Sequence, residues 1–417
     1  MKNLILTLII TLPSTVLGQG WEQTYDFNSR DEGYSVDQTQ DGGFIIVGEQ
    51  YNSWYTLNWS ELIMIKTNNN GLIEWYKTFG DTISWDGVNF TTNISRGLHV
   101  KQTSDGGYLI GGRFNNESCI IKTDNLGNEQ WIKTYPNHGI YGHEFEMVNN
   151  GFVTTGDYNG DPCLLKTDNL GNEIWTQTYS NHINEIYDVS HTNDGGFILT
   201  GSGDSQTNVF PEVTLIKTDS DGNLIWTNTF TSQFGQEGGF VVEETNDGGY
   251  IVLVLDLEDT FLKKVDSNGN EVWEQNYGDV VGTSLKETTD NGFIFTGQNI
   301  DDEVFITKTD NFGDITWTQD YMTNYTSSFS RSIQQTSDGG YVTCGEVMDS
   351  NQNRDILLIK TNQFGNITST FEIPLPNPNR KLEKTVNLNG QEIKPQTNQP
   401  IIEIFDDGTV EKKIVVE

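Results

Sequence analysis

Three groups of residues in this chain carry side chains that could do chemistry. Trp54, Trp59 and Trp85 stand near Tyr51, Tyr55 and Phe90 in a short span of sequence, and clustered aromatics stack on sugar rings or anchor a protein partner. Trp54, Tyr55, Trp59 and Trp85 are therefore candidate ligand-binding residues. The alternative is that the two segments carrying them pack on each other, because large aromatics usually fill cores. His138 and His182 follow Trp131 and Trp175 by seven residues each, in matching Tyr-x-Asn-His segments, and His143 with Glu144 lies nearby. These histidines are candidate metal ligands, although open loops lack the enforced geometry zinc requires and a copied repeat produces the same spacing without a site. Asp219-Ser220-Asp221-Gly222-Asn223 opens like a calcium loop but lacks the later bidentate glutamate and occupies an ordinary repeat turn. No Ser-His-Asp order, phosphate-cradling glycine loop or paired-carboxylate motif stands out from the repeats, so no catalytic residue is assigned.

The elements that must position these residues are repeats. Seven Asp-Gly-Gly-like turns occur, at Asp41, Asp105, Asn150, Asp194, Asp247, Asp290 and Asp338, and seven Lys-Thr-Asp-like strand ends accompany them, at Lys66, Lys122, Lys166, Lys217, Lys264, Lys308 and Lys360. Within one copy a strand enters the Gly turn, a second follows, and a third ends at Lys122-Thr123-Asp124. Asp124-Asn125-Leu126-Gly127 has the Asp and Gly that a type I turn prefers, and the fourth strand carries the tryptophan. Trp21, Trp75, Trp131, Trp175, Trp226, Trp273 and Trp317 recur at spacings of 44 to 56 residues. Four antiparallel strands repeated seven times predict an all-β chain, a seven-bladed β-propeller of four-stranded blades. The recurrent tryptophans are expected to pack between blades rather than on a ligand.

The strand count is uneven: eight segments of the fourth type accompany seven of each other type, because Trp21 to Phe27 precedes the first full copy. That segment is expected to pair into the last blade and close the ring, removing open sheet edges. Alternating strand direction puts the two tight turn types on one face. The other face collects the insertions at 50–60, 80–96, 203–213, 231–238, 322–331 and 347–355, and variable loops on a rigid scaffold are where binding is expected.

Composition narrows the partners. The net charge is −35, all of it carried by residues 21–376, which hold 17 basic and 52 acidic residues. Such a surface repels phosphate backbones, so nucleic acid and anionic membranes are not expected partners. It suits solubility outside the cell, and divalent-cation binding is the other use for it. Lys2, the apolar run from Leu4 to Leu12 and Val16-Leu17-Gly18 form the pattern of a cleaved secretory signal, residues 1–18. No stretch reaches the roughly 20 apolar residues of a membrane helix, so the protein is expected not to span the membrane. Cys119, Cys163 and Cys344 read as small buried apolar residues rather than disulfide partners.

The Asp-x-x-Gly-Asn-x-x-Trp segments resemble the Trp-containing β-propeller repeats of the quinoprotein-like group. The resemblance implies fold and not activity, since this chain has no vicinal cysteine pair and seven rather than eight repeats; no pyrroloquinoline or other cofactor is expected. After 19–373, the propeller, Pro374 to Asn379 reads as a stiff linker. Residues 380–417, with Gly390 in the central Asn-Gly and Asp407, Gly408, Glu411, Lys412 and Lys413 in the ending, resemble the type A C-terminal sorting domain of the type IX secretion system. The usual first strand after Pro-Asn-Pro is missing from this copy. The resemblance implies a small β domain, the type IX secretion machinery as partner, and a propeller released from or held on the surface of a Gram-negative bacterium. The expectation for function is a non-enzymatic propeller that binds or scaffolds an extracellular protein or glycan. The alternative is a polysaccharide hydrolase or lyase with two convergent acids about 5 to 9.5 Å apart.

Overall fold

Alternation of apolar and polar residues between glycine turns leaves each segment able to bury itself only as a sheet strand between two neighbours, and the fold follows from that constraint. The structure, a computed structural model, describes residues 20–27, 30–54, 57–80, 83–85, 90–139, 145–148, 151–203, 212–230, 237–256, 259–321, 325–367, 381–386, 393–394, 400–405 and 410–414. Contacts divide the chain into two units, Met1–Ile367 and Thr368–Glu417.

In the first unit the described strands form seven antiparallel groups of four. Blade 1 is Arg30–Gln38, Phe44–Trp54, Leu57–Thr67 and Ile73–Phe79. Blade 2 is Arg96–Gln102, Tyr108–Phe114, Glu117–Thr123 and Glu129–Tyr135, and blades 3 and 4 repeat the order, blade 3 with an added short strand at His138–Gly139. One long strand, Glu271–Glu287, ends blade 5 and begins blade 6. Blade 7 takes Ser327–Gln335, Tyr341–Met348 and Arg354–Thr361 from the end of the repeats, and its fourth strand is Trp21–Tyr25, paired from Trp21↔Lys360 to Tyr25↔Ile356. The ring closes as the surplus strand predicts. The chain is an all-β propeller.

The second and third strands of each blade are almost wholly buried, and the fourth is the exposed edge. Apolar clusters lie between blades: Ile45, Val47, Leu62 and Met64 of blade 1 pack with Val100, Tyr108, Ile110 and Ile121 of blade 2. Each such aliphatic side chain contributes about 1.5–3 kcal/mol on burial. Cys119, Cys163 and Cys344 are buried and unpaired, as expected.

A repeated seam joins the blades at the tight-turn face. Gly127, at φ +74°, holds a left-handed turn that a Cβ would strain, and the added Cβ would meet the Trp75 ring at 2.6 Å. The same relation holds between Trp21 and Gly71, Trp131 and Gly171, Trp175 and Gly222, Trp226 and Gly269, Trp273 and Gly313, and Trp317 and Gly365. Each tryptophan thus covers the glycine of the next blade's turn, which is the inter-blade packing its spacing implies. Tyr25, Tyr135, Tyr179, Tyr277 and Tyr321 each donate a 2.7 Å hydrogen bond to that same glycine's carbonyl. In blade 4, where Phe230 stands at the tyrosine position, Asn228 Nδ2 donates to Gly269 instead.

A second recurring contact was not foreseen from the spacing. In six blades the buried lysine ending the third strand reaches the aspartate of the first turn at 2.9–3.0 Å, as Lys122 reaches Asp105 and Lys217 reaches Asp194. Blade 3 has Asn150 at that turn position, and its Lys166 donates instead to the Ser220 carbonyl in the next blade, 3.0 Å away.

In the second unit the described strands Leu382–Val386, Pro400–Phe405 and Val410–Ile414 form one three-stranded antiparallel sheet. Glu411, Lys412 and Lys413 lie on its last strand. Gly390, Asp407 and Gly408 lie outside the described residues, as do the signal segment 1–18 and the linker 374–379.

Candidate ligand site where blades 7, 1 and 2 meet

The first strands of neighbouring blades lie against one another, so their side chains decide what the inner rim presents. Six of these strands carry a bulge at the same place, between Gly33 and Ser35 in blade 1 and between Ser330 and Ser332 in blade 7. A bulge adds one residue and re-aims its side chain. The extra residues here are Tyr34 and Arg331, and the Arg331 guanidinium lies 4.8 Å over the Tyr34 ring. Across the ring, the bulge residues Tyr187 and Phe240 stack at 5.0 Å.

Around Arg331 the strand starts and ends of blades 7 and 1 bring charges together. Arg331 grips Glu346 with two bonds, Nε to Oε2 at 2.8 Å and Nη2 to Oε1 at 2.7 Å. Arg354 Nη1 donates to both Glu346 Oε1, 3.2 Å, and Glu32 Oε1, 2.9 Å. Arg30 Nη2 reaches Glu32 Oε1 at 2.7 Å, and Tyr34 Oη donates to Glu32 Oε2 at 3.0 Å. The two carboxylates are nearly buried, yet they titrate in opposite directions. Burial raises Glu32, but the bond from Arg30 and the charges of Arg331 and Arg354 outweigh it and hold its carboxyl below the usual range. Burial dominates at Glu346 and pushes its carboxyl up despite Arg331.

Two cavities open beside this network. One, of about 310 Å³, is lined by Gln298, Asp302, Phe329, Arg331, Glu346 and Arg354 among others, at the seam of blades 6 and 7. The other, of about 220 Å³, is lined by Arg30, Glu32, Tyr34, Glu49, Tyr51 and Arg96, at the seam of blades 1 and 2. Both sit where second strands end and first strands begin, the face that bears the insertions. Glu32 lines one cavity, Glu346 the other, and Arg354 bonds to both.

The aromatic segments singled out in the sequence form hairpins rather than open loops. Phe44–Trp54 and Leu57–Thr67 extend as eleven-residue strands, and Ile83–Trp85 pairs with Phe90–Thr92. Backbone bonds from Ser60 N to Asn93 O and from Ser95 N to Ser60 O join the two insertions. Tyr55 lies outside the described residues, and so do the side chains of Trp54 and Trp85. Trp59 is half-buried with its indole N–H shielded from water. Because Trp59 pairs with Asn52 and Tyr51 with Ser60, strand alternation puts Trp59 and Tyr51 on opposite sides of the sheet.

His138 is buried against Tyr135 and Tyr158, with Nε2 3.0 Å from the Thr176 hydroxyl, and burial holds its pKa low. His182 is exposed in a turn, and His143 and Glu144 lie outside the described residues. Asp219 Oδ1 accepts the amides of Asp221 and Asn223, the pattern of Asp124 in its own turn. Among the described residues, the side chains close enough to hold a cation together are Asp26, Asp31 and Asp355, whose oxygens fall within 4.8 Å of one another. Burial and the charges of Asp26 and Asp31 push the Asp355 carboxyl up to about 6.

No protein-family model and no curated protein matches the chain. Solved structures do. The Dos1 propeller aligns with a TM-score of 0.50 at 12% identity over 83% of this chain and 96% of its own. Extracellular domains 1–2 of Drosophila Semaphorin 1a align with a TM-score of 0.52 at 8% identity over 81% and 87%. A chain from Drosophila Plexin A in complex with Semaphorin 1b aligns at 0.50 and 7% identity over 82% and 86%. At these identities the likeness is one of fold: the class of this protein is the β-propeller.

Proposed function

We propose that the chain is an exported propeller that binds an extracellular macromolecule or glycan through its insertion-bearing face where blades 6, 7, 1 and 2 meet. The observation that carries this reading is the pair of cavities joined by the Glu32–Arg354–Glu346 contacts: convergent polar groups and aromatic rings in concave sites on a rigid scaffold. Residues 380–417 deliver it, through the type IX secretion machinery, to the surface or medium of a Gram-negative bacterium, with the signal segment 1–18 directing the first export step. A second reading, a polysaccharide hydrolase or lyase, rests on Glu32 and Glu346 being two nearly buried carboxyls whose surroundings displace them in opposite directions, since acid–base cleavage uses a pair of carboxyls set apart by environment.

The test is a glycan and surface-protein array probed with the propeller, alongside Tyr51→Ala and Gln298→Ala. Loss of binding with unchanged unfolding supports the site, and full binding by both variants refutes it. Release of reducing ends from a bound polysaccharide would favour the enzyme. In the parent bacterium, deletion of residues 380–417 should abolish the extracellular protein; unchanged extracellular levels would refute the export route.

A further inference from the structure

The chain has six arginines, and Arg30, Arg96, Arg113, Arg331 and Arg354 are the five within residues 19–373. All five belong to blades 7, 1 and 2; Arg30, Arg96, Arg113 and Arg354 stand at or next to strand starts or ends of the insertion-bearing face, and Arg331 at the bulge of its strand. Arg30, Arg331 and Arg354 are matched by Glu32 and Glu346. Among the described residues Arg96 and Arg113 have no such match. They are directly opposite one another across the first two strands of blade 2, a like-charge pair on one side of the sheet, which destabilises unless an anion compensates it. Among the described residues neither guanidinium has a hydrogen-bond acceptor or an ion-pair partner, and Arg96 Nε is sealed from water with none. In a chain of net charge −35, two adjacent cations to which no described carboxylate is bonded are the reverse of what composition delivers.

Arg96 lines the 220 Å³ cavity, whose remaining walls are Arg30, Tyr34, Tyr51, Glu32 and Glu49. That volume is below the roughly 300–1,000 Å³ of drug-sized sites, so it takes one ring-sized group. Its chemistry is mixed: a guanidinium fork for a planar carboxylate, carboxylates and phenols for hydroxyl groups, and the Tyr51 ring held beneath Arg30 at 5.8 Å. A phosphate, with a second charge per group, is repelled by the surrounding acidic surface more strongly than a single carboxylate is, and a ring bearing one carboxylate and several hydroxyls offers partners to the guanidinium, carboxylates and phenols of the walls.

We infer that the cavity between blades 1 and 2 binds a uronic acid residue of an acidic glycan, its carboxylate taken by Arg96 and its hydroxyls by Glu49, Tyr34 and Tyr51. This rests on the binding reading given above and names its ligand class. The test is calorimetric titration of the propeller with an oligomer of galacturonic acid and with its fully methyl-esterified counterpart, which keeps the sugar and masks the charge. The acid is expected to bind at least tenfold more tightly, and the preference should shrink with added salt. Arg96→Gln should erase the preference, while Arg96→Lys restores part of it. The glutamine variant relieves a like-charge pair, so its urea unfolding should match or exceed that of the parent, which separates lost binding from lost folding. If acid and ester bind alike and Tyr51→Ala weakens both, the binding face stands and the uronate assignment fails. Undiminished preference in Arg96→Gln, or no binding of either oligomer, also overturns the assignment.

Discussion

Gly106→Ala and Gly127→Ala, made separately in blade 2, isolate the packing that holds one blade to the next. Both glycines have left-handed backbones, φ +82° and +74°, so alanine carries the same conformational cost at each, about 1–2 kcal/mol. Their surroundings differ. A Cβ on Gly106 would meet nothing nearer than Asn125 Cβ at 3.9 Å, whereas one on Gly127 would come within 2.6 and 2.8 Å of two ring carbons of Trp75 in blade 1. Forcing a methyl group into a packed contact adds about 1–3 kcal/mol. Gly106→Ala should therefore lose about 1–2 kcal/mol and Gly127→Ala about 2–5 kcal/mol. Equilibrium urea unfolding measures both, with unchanged m-values showing that the same surface is exposed on unfolding. Equal losses in the two variants would refute the reasoning, because they would mean that Trp75 yields freely and the seam is not close-packed.

Two pH predictions follow from the carboxylates. Burial tends to raise Asp41 and Asp194, but the Thr hydroxyl, Gly amide and Lys ammonium bonded to each outweigh it and hold both at about 2. A depressed folded pKa contributes stability above the unfolded value of about 4 that is lost as pH falls towards 2, so urea midpoints should drop over that window, and Asp194→Asn should differ from the parent at pH 6 but not near pH 2. A midpoint flat from pH 6 to pH 2 would contradict this. Asp355 is the opposite case: its pKa rises from 3.8 to about 6, so its neutral form is favoured in the fold and stability is lost as pH climbs through that interval. The shift corresponds to about 3 kcal/mol, which partial exposure reduces to about 1 kcal/mol. Asp355→Asn should stabilise by that amount at pH 7.5 and by nothing at pH 4, and an equal effect at both pH values would exclude it.

The repeat was legible because its causes are local. Left-handed glycines, Asx turns and strand alternation act within a few residues, so Asp124 to Gly127 and its counterparts announce turns, and the evenly spaced tryptophans announce one position in every blade. The surplus segment at Trp21 even disclosed how the ring shuts. The aromatic group near Trp54 shows the limit of proximity along the chain: Tyr51 lines a cavity and Trp59, eight positions on, faces the other side of its sheet. The paired Lys122 and Asp105 were each visible as repeat residues, but not as partners, since antiparallel pairing and side-chain reach join them.

Sequence alone determined the strand order, the turn chemistry, the acidic surface and the face on which insertions gather. Tertiary structure decided the site. Glu32 and Arg354, 322 positions apart, share a hydrogen bond only because closure of the ring sets blade 7 beside blade 1. The Arg96–Arg113 pair needs a particular register, and no periodicity in composition dictates it. One signal was present beforehand: the lysines recur with the repeat, while arginine appears in only three of the seven copies. Charge that ignores a repeat has a cause outside the repeat, and here that cause is a cavity formed where distant strands converge.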